Sequence, residues 1–301
     1  MPSDSFSRLI CALRERRSEV AQVAVVGSAT IDRVVDDGVE VYKRGGVVMY
    51  AGLSFAQLGI STKILSNVAA ADEAMLALLY QRGIEVHTGD SAQTTHFVNY
   101  IAGNARRQEL LARASPIVAA QLGPVLADVQ HVHLGPLYPG DIETAALAVI
   151  AADCRVSLDI QGYARQLEGQ QIVEQISGDL FPALQRADYI KASAEELKLV
   201  LDYCGKTLER LMADCEITEC VVTEGSHGGW VVGQAGQRTD FKAAPVATVM
   251  DPTGAGDVFF AAYLTRRLHQ GEASGEAARF AADLAARHVE GVFIEAEALL
   301  L

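Results

Sequence analysis

The sequence predicts an α/β protein in which a mostly parallel central sheet carries helices on both faces. Short β-rich apolar runs alternate with longer helical patterns along 301 residues, and half of the residues are hydrophobic, which is ample for a large buried core. Such alternation implies right-handed βαβ crossovers, and sheets of this kind bind ligands in the loops beyond the carboxyl ends of their strands. No internal repeat or linker divides the chain, so we expect one domain over residues 1–301.

The strands are predicted from short apolar runs that end at a glycine or a polar residue. They are Val23–Val26, Ile64–Val68, His131–Leu134, Val156–Ile160, Tyr189–Lys191 and Cys220–Thr223. The helices are predicted from apolar residues that recur three and four positions apart. They are a short amphipathic helix within Met1–Val20, and then Tyr50–Leu58, Ala71–Arg82, Ile142–Ala152, Gln171–Gln185, Ala194–Leu201, Leu208–Asp214, Gly256–His269 and Gly275–His288.

Two polar, β-prone segments interrupt this alternation, at approximately residues 33–44 and 94–111. Turn signals lie within them at Asp37-Gly38 and Gly103-Asn104. The segments could pair as a small β lid over the edge of the main sheet, and two unrelated surface hairpins would fit the pattern equally well.

Charge and composition exclude several classes of function. The net charge is −13, so a nucleic-acid surface or an anionic-membrane surface, which both need clustered positive charge, is not expected. The longest apolar runs are far shorter than the roughly 20 residues of a membrane span. Five cysteines form no Cys-x-x-Cys pair, and His131 and His133 fit a buried strand better than a metal pair. We therefore expect a soluble cytoplasmic protein.

The stretch Val249–Leu264 carries the strongest chemical signal. Its small residues Gly254, Ala255 and Gly256 lead directly into an apolar helical pattern, so their backbone amides would lie at a helix N-terminus and form an anion site. Asp257 would lie in the first turn, beside that site. An acid there either favours the helix N-terminus electrostatically or takes a proton from a hydroxyl that attacks phosphorus.

The run Asp251-Pro-Thr-Gly-Ala-Gly-Asp257 closely resembles the C-terminal signature of the ribokinase-like (PfkB) carbohydrate kinases. The resemblance implies a three-layer ribokinase-like fold, with Asp257 as the catalytic base and Gly254–Gly256 as the anion hole. Asp32, after the first strand, and the Gly45-Gly46 pair resemble the family's substrate-binding positions. Taken alone, Asp32 could simply cap a turn.

Further matches imply an ATP site and a magnesium site. Val221–Gly229 is similar to the family's nucleotide strand and loop, which places Thr223, Gly225 and Gly228 near ATP. In the segment that usually reads Asn-x-x-Glu, Ser193 replaces the asparagine and would contact the nucleotide, whereas Glu196 would help to organise Mg²⁺. The alternative for Glu196 is one more charge on an exposed helix face.

Two positions suggest which acceptor binds. Tyr50 stands where the family often has an asparagine that touches the sugar, which argues against ribose or fructose. The segment Thr94–Tyr100 with Arg106-Arg107, and the segment Asp159–Arg165, are similar to the branch that contains inositol-kinase-like members. Arg165 is expected to bind substrate or to be a surface arginine.

The sequence therefore predicts an ATP-dependent kinase that phosphorylates a hydroxyl of a small sugar, an inositol-like polyol or a nucleoside. The alternative is a catalytically idle homologue that senses a metabolite, which the changes at Ser193 and Tyr50 motivate. A Rossmann dehydrogenase is set aside because Gly27–Asp32 lacks the second and third glycines, and a P-loop lysine motif is absent. A requirement for a monovalent cation (K⁺) near Asp251 and a homodimer formed through the lid stay open.

Overall fold

The computed structural model describes residues 23–36, 38–102 and 105–301, and the predicted N-terminal helix lies outside them. Within these residues, fifteen strands form two sheets. The strands are β1 (Val23–Val26), β2 (Thr30–Asp36), β3 (Val39–Gly45), β4 (Thr62–Ala69), β5 (Glu85–Ser91), β6 (Thr95–Ala102), β7 (Ala105–Ala112), β8 (His131–Leu134), β9 (Arg155–Asp159), β10 (Arg165–Glu168), β11 (Gln171–Glu174), β12 (Tyr189–Ser193), β13 (Glu219–Thr223), β14 (Gly229–Gly233) and β15 (Arg238–Phe241).

Eight α-helices are described over the same residues, together with short 3₁₀ segments. The helices are α1 (Val47–Gln57), α2 (Ala77–Gln81), α3 (Ala119–Val125), α4 (Leu180–Leu184), α5 (Ala194–Cys204), α6 (Leu208–Asp214), α7 (Ala255–Leu264) and α8 (Ser274–Val289). No helix among the described residues is long and apolar enough to cross a membrane.

The larger sheet has nine strands in the order β15-β14-β13-β12-β9-β8-β1-β4-β5. From β13 to β5 every neighbouring pair is parallel, and at one edge β14 pairs antiparallel with both β13 and β15. Each of the six predicted strands is present, so the prediction of a mostly parallel sheet is confirmed. The carboxyl ends of β1, β9, β12 and β13 consequently meet along one edge.

Side chains of the sheet enter two separate cores. On β1, Val23 and Val25 pack with helices α1, α7 and α8, whereas Ala24 and Val26 pack with the helices of the opposite face. This alternation follows from the two-residue period of a strand. The helix–sheet–helix layering predicted from the sequence is confirmed.

The smaller sheet has six strands in the order β10-β11-β7-β6-β2-β3. The two predicted lid segments supply β3, β6, β7 and most of β2, and β2 pairs with β6 along seven residues. The prediction of one helix over Gln171–Gln185 is wrong. Gln171–Glu174 forms a hairpin strand with β10, and only Leu180–Leu184 is helical. The hairpin partner supplies backbone hydrogen bonds that a helical periodicity cannot reveal.

Two other predicted helices are shorter than expected. Residues Ala71–Arg82 divide into a 3₁₀ segment, Ala70–Leu76, and the short helix α2. Ile142–Ala152 contains only the 3₁₀ segment Thr144–Val149. β-Branched residues at both ends of this second segment lower its helix propensity.

A chain of neutral imidazoles crosses the core on one face of the larger sheet. Nδ1 of His131 lies 3.0 Å from Nε2 of His269, and Nε2 of His131 lies 2.7 Å from Oγ of Ser157. The same hydroxyl lies 2.8 Å from Nδ1 of His133, and the ring of Phe55 packs edge-on against all three imidazoles. Burial lowers the pKa of His133 and of His269 to about 4, and that of His131 well below its usual value.

We expect acid to destabilise the protein through this cluster. Between pH 6.5 and 4 the histidines of the unfolded chain bind protons that the folded chain excludes, so the free energy of unfolding falls as the pH drops below 6.5, by about 1.4 kcal/mol for each unit of pKa depression. Urea unfolding measured from pH 7.5 to 5 checks this. His133→Leu should flatten the profile, whereas His227→Gln, at an exposed position, should leave it unchanged; equal profiles for wild type and His133→Leu would contradict the expectation.

Candidate active site

A glycine in the left-handed conformation starts helix α7 and shapes the candidate anion cradle, which is the turn Gly254–Asp257. Gly254 has φ of 79° and caps the helix, so the amides of Ala255, Gly256 and Asp257 begin the helix without intrahelical acceptors. The Ala255 amide donates to the carbonyl oxygen of Pro252 at 3.2 Å, which leaves the amides of Gly256 and Asp257 as the donors for an anion. A Cβ atom at position 254 would lie 2.2 Å from Cγ of Tyr50. The ring of Tyr50 therefore forms the support against which the cradle packs, and a side chain at 254 is sterically excluded.

Asp257 lies in the first turn of α7, within a group of charged side chains. Desolvation raises the pKa of Asp257 to about 7, and the like charge of Asp159 acts in the same direction. The positive charges of Lys191 and Arg165 oppose this rise. An acid with a pKa near neutrality is suited to accept a proton and to release it.

A buried ion pair that the sequence patterns do not reveal lies beside the cradle. Nζ of Lys191 on β12 is 2.8 Å from Oδ2 of Asp159 at the end of β9, and both side chains are 7% exposed. The two residues are register partners in neighbouring parallel strands. A Cβ atom at Gly256 would lie 2.9 Å from Nζ of Lys191, so the ammonium group is pressed against the cradle. A lysine within the short buried strand Tyr189–Ser193 was the available signal.

A polar cavity of about 190 Å³ opens on the lid side of Asp257. It is bordered by three carboxylates, of Asp32, Asp159 and Asp257, and by the guanidinium of Arg165, which donates to Oε1 of Gln108 at 3.3 Å. The rest of its lining is Thr30, Gly46, Tyr50, Phe97, Gln108, Leu137, Gln161, Lys191, Pro252, Thr253, Gly254 and Gly256. The predicted residues Asp32, Gly46, Tyr50 and Arg165 are thus brought together.

Close packing of the backbone places Asp32 at this cavity. A Cβ atom at Gly45 would lie 2.2 Å from Oδ2 of Asp32, and one at Gly46 would lie 2.1 Å from the carbonyl oxygen of Ser28. Gly46 also has φ of 86°. Gly45 does not line the cavity itself, and its contribution is the space that it leaves for the Asp32 carboxylate.

An apolar cavity of about 680 Å³ lies on the other side of the cradle. Predicted residues Thr223, Gly225 and Gly228 line it, and Phe241 and Phe259, whose rings stack with centroids 5.0 Å apart, form part of its wall. The remaining lining is Ser226, Ala243, Ala244, Pro245, Val246, Val249, Pro252, Ala255, Gly256, Ala282, Ala285, Ala286 and Val289. Gly256 borders both cavities, so the two meet at the cradle.

Ser193 and Glu196 form a capping box at the start of α5. Oγ of Ser193 accepts from the amide of Glu196 at 3.1 Å, and Oε2 of Glu196 accepts from the amide of Ser193 at 2.8 Å. Neither residue lines a cavity described above. Glu196 nevertheless lies near enough to influence the charge of Lys191 and Asp257. Among the described residues, no group of three or more His, Cys, Asp or Glu side chains could hold a metal ion.

Solved structures share this fold at low sequence identity. A pyrophosphate-dependent kinase of the ribokinase family, complexed with a pyrophosphate analog and myo-inositol, is 21% identical with a TM-score of 0.76, over 89% of this chain and 95% of its own. The nucleoside kinase of Methanocaldococcus jannaschii is 16% identical with a TM-score of 0.74, over 91% of this chain and 93% of its own. These similarities confirm the ribokinase-like fold predicted from the sequence.

Sequence comparisons agree with the fold. The bifunctional protein HldE of Azotobacter vinelandii is 28% identical over 265 residues, which are 82% of this chain and 52% of that protein, so the chain spans about half of the length of this curated relative. The pattern of the pfkB family carbohydrate kinases matches residues 20–291. With that match over nine-tenths of its length, the chain belongs to the pfkB family of carbohydrate kinases.

Proposed function

We propose that the protein transfers the γ-phosphoryl group of ATP to a hydroxyl of a small polyol or sugar. The observation that carries this proposal is the meeting of two cavities of opposite character at one anion cradle, with an acid of raised pKa on the polar side. One cavity suits a nucleotide base, the other suits a hydroxylated ring, and the cradle lies where a phosphoryl group would pass between them.

In the proposed reaction the acceptor oxygen forms a bond to the γ-phosphorus while the bond from that phosphorus to the β,γ-bridging oxygen breaks, and ADP leaves. Asp257 takes the proton of the attacking hydroxyl. The amides of Gly256 and Asp257, together with the ammonium of Lys191 beside them, stabilise the charge on the transferred group. The neutral Asp257 then loses its proton when the product leaves.

The character of the larger cavity favours a nucleotide donor. Its alanines, valines and stacked Phe241–Phe259 pair match the apolar faces of a purine, and its volume of about 680 Å³ lies in the range of ligand sites. Pyrophosphate, the donor of one structural neighbour, has no apolar part to occupy such a space. We therefore favour ATP over pyrophosphate.

The smaller cavity favours a single polyol ring as acceptor. Its volume of about 190 Å³ is small for a nucleoside, and its carboxylates and amides can accept or donate to several hydroxyls. The solved complex of a family neighbour with myo-inositol is consistent with an inositol-like acceptor. Asp32 and Gln161 are the residues that we expect to orient the ring.

Magnesium would neutralise part of the charge on the ATP phosphates. It is usually held by one or two carboxylates together with phosphate oxygens and waters, so the lack of a three-residue cluster in the described chain is compatible with it. Glu196 is the residue that would hold it through water. The cysteines described are free thiols, which fits a reducing cytoplasm. Dimerisation through the lid stays a prediction.

Turnover on a panel of acceptors tests the proposal. With ATP as donor we expect ADP release in the presence of an inositol or another single-ring polyol, and much less in the presence of nucleosides. With pyrophosphate as donor we expect no phosphorylated acceptor. Asp257→Asn should bind ATP normally but lose about 10²- to 10⁴-fold in turnover, because the proton acceptor is removed. Normal ATP binding without turnover on any acceptor would instead support the idle metabolite sensor, and near-normal transfer by Asp257→Asn would refute the role of Asp257.

The ionisation of Asp257 predicts a pH profile. Activity (kcat/KM) should rise with pH through about 7, because the base must be deprotonated. Lys191→Met should move this limb to higher pH by removing a positive charge, and Asp159→Asn should move it to lower pH by removing a negative one. Lys198→Met, at an exposed position on α5, is the control and should not move it. Equal shifts in one direction for both buried variants would contradict the assignment.

We expect a bulky side chain in the apolar cavity to block binding of the donor ATP without affecting the polar cavity. Ala285 on α8 lines the cavity and is only partly buried, so Ala285→Trp should fill the space without entering the core. We expect it to weaken ATP binding at least about tenfold. Isothermal titration with ATP measures this, and Asp283→Trp, at an exposed position of the same helix, is the matched control. Unchanged ATP affinity in Ala285→Trp would place the nucleotide elsewhere.

A further inference from the structure

Three hydrogen bonds that involve side chains hold the loop that precedes the anion cradle, in addition to backbone hydrogen bonds from Asp251 to Val289 and from Ala255 to Pro252. Oδ1 of Asp251 accepts from the amide of Thr253 at 2.9 Å, and Oδ2 of the same carboxylate accepts from Nζ of Lys43 at 2.8 Å. The carbonyl oxygen of Thr253 accepts from Nε2 of His288 at 2.8 Å. Both carboxylate oxygens of Asp251 and the carbonyl of Thr253 therefore have donors within the chain.

These oxygens are the kind of ligand that a monovalent cation would use. K⁺ binds carbonyl and carboxylate oxygens, and the sequence left open whether such an ion is required near Asp251. An ion there does not fit the contacts present, since the ammonium of Lys43 already lies against the carboxylate and an imidazole N–H already satisfies the carbonyl. An ammonium group is a compact single positive charge, as K⁺ is.

The side chains that hold this loop are largely shielded from solvent. Lys43 and Asp251 are 19% and 18% exposed, so solvent screens their charges only in part. His288 is buried, and that burial lowers its pKa. The centroid of its ring lies 5.5 Å from that of Tyr50, and the Tyr50 ring in turn packs against Gly254. Lys43 does not line either cavity. Its effect on an anion in the cradle would therefore be exerted through the loop.

We propose that the ammonium of Lys43 is a tethered substitute for a monovalent cation, which fixes the Asp251–Gly254 loop and makes the protein independent of added K⁺. The inference rests on the proposed function, in which the cradle holds a phosphoryl group. Lys43 is a positioning residue. It lies on β3 of the lid, directly opposite Asp32 of β2, so the same strand pair that carries the acceptor-binding acid also carries the charge that fixes the cradle.

The test compares K⁺, NH₄⁺ and tetramethylammonium chlorides at equal ionic strength. Thermal unfolding and ATP binding are measured for wild type, Lys43→Met and Lys43→Arg, with Lys206→Met as the control, because Lys206 forms an ion pair of similar length with Asp214 elsewhere. For wild type and for Lys206→Met, the unfolding temperature and the ATP affinity should each be the same in all three salts. Lys43→Met in tetramethylammonium should bind ATP about tenfold more weakly. Either K⁺, NH₄⁺ or the arginine variant should recover most of this loss.

Specific stimulation of the wild type by K⁺ would overturn the inference, and so would normal ATP binding by Lys43→Met in tetramethylammonium. The inference would also be overturned if Lys43→Met lost ATP affinity and neither K⁺ nor NH₄⁺ restored it, and if Lys43→Arg showed the same loss. Such a result would indicate that Lys43 has only a packing role. The unfolding temperature of wild type and variants in the three salts is independent of catalysis. A failure to find any phosphorylated acceptor would therefore count against the proposed function alone.

Discussion

The buried ion pair between Lys191 and Asp159 is the interaction on which the rest of the site depends. Asp159 ends β9 and Lys191 is its register partner within β12, at buried positions where an unpaired charge would cost several kcal/mol. Desolvation acts to lower the pKa of Lys191, but the carboxylates around it outweigh this and raise it. Lys191 therefore stays charged, and its position beside Gly256 and Asp257 sets the electrostatics of the cradle and of the Asp257 carboxylate together.

Close approach between side chains and glycine backbone joins the two halves of the site. Tyr50 packs on Gly254, the Lys191 ammonium lies against Gly256, and the Asp32 carboxylate lies against Gly45. At each contact a side chain of the candidate site occupies the space that a Cβ atom would need. Replacing one of these glycines would displace its partner as well, so the cradle and the polar cavity behave as one packing unit.

The sequence predicts most of the fold and the centre of the site, because both depend on local patterns. The strands of the larger sheet follow from apolar runs, and the cradle follows from small residues before a helix. The strand Gln171–Glu174 could not be predicted, because its hairpin partner and the lid supply its hydrogen bonds. Lys191 and Lys43 were missed for the same reason: their carboxylate partners are 32 and 208 residues distant in sequence.

The net charge of −13 is consistent with anion binding, because each lysine near the site is paired with an aspartate. Lys191 is neutralised by Asp159 and Lys43 by Asp251, so neither contributes an uncompensated charge that would attract anions generally. The positive potential of the cradle then comes mainly from amide groups at the start of α7, which act only over the first turn. Under the proposed function such a site would select an anion by position, because the amides would stabilise charge only on a phosphoryl group beside Gly256 and Asp257.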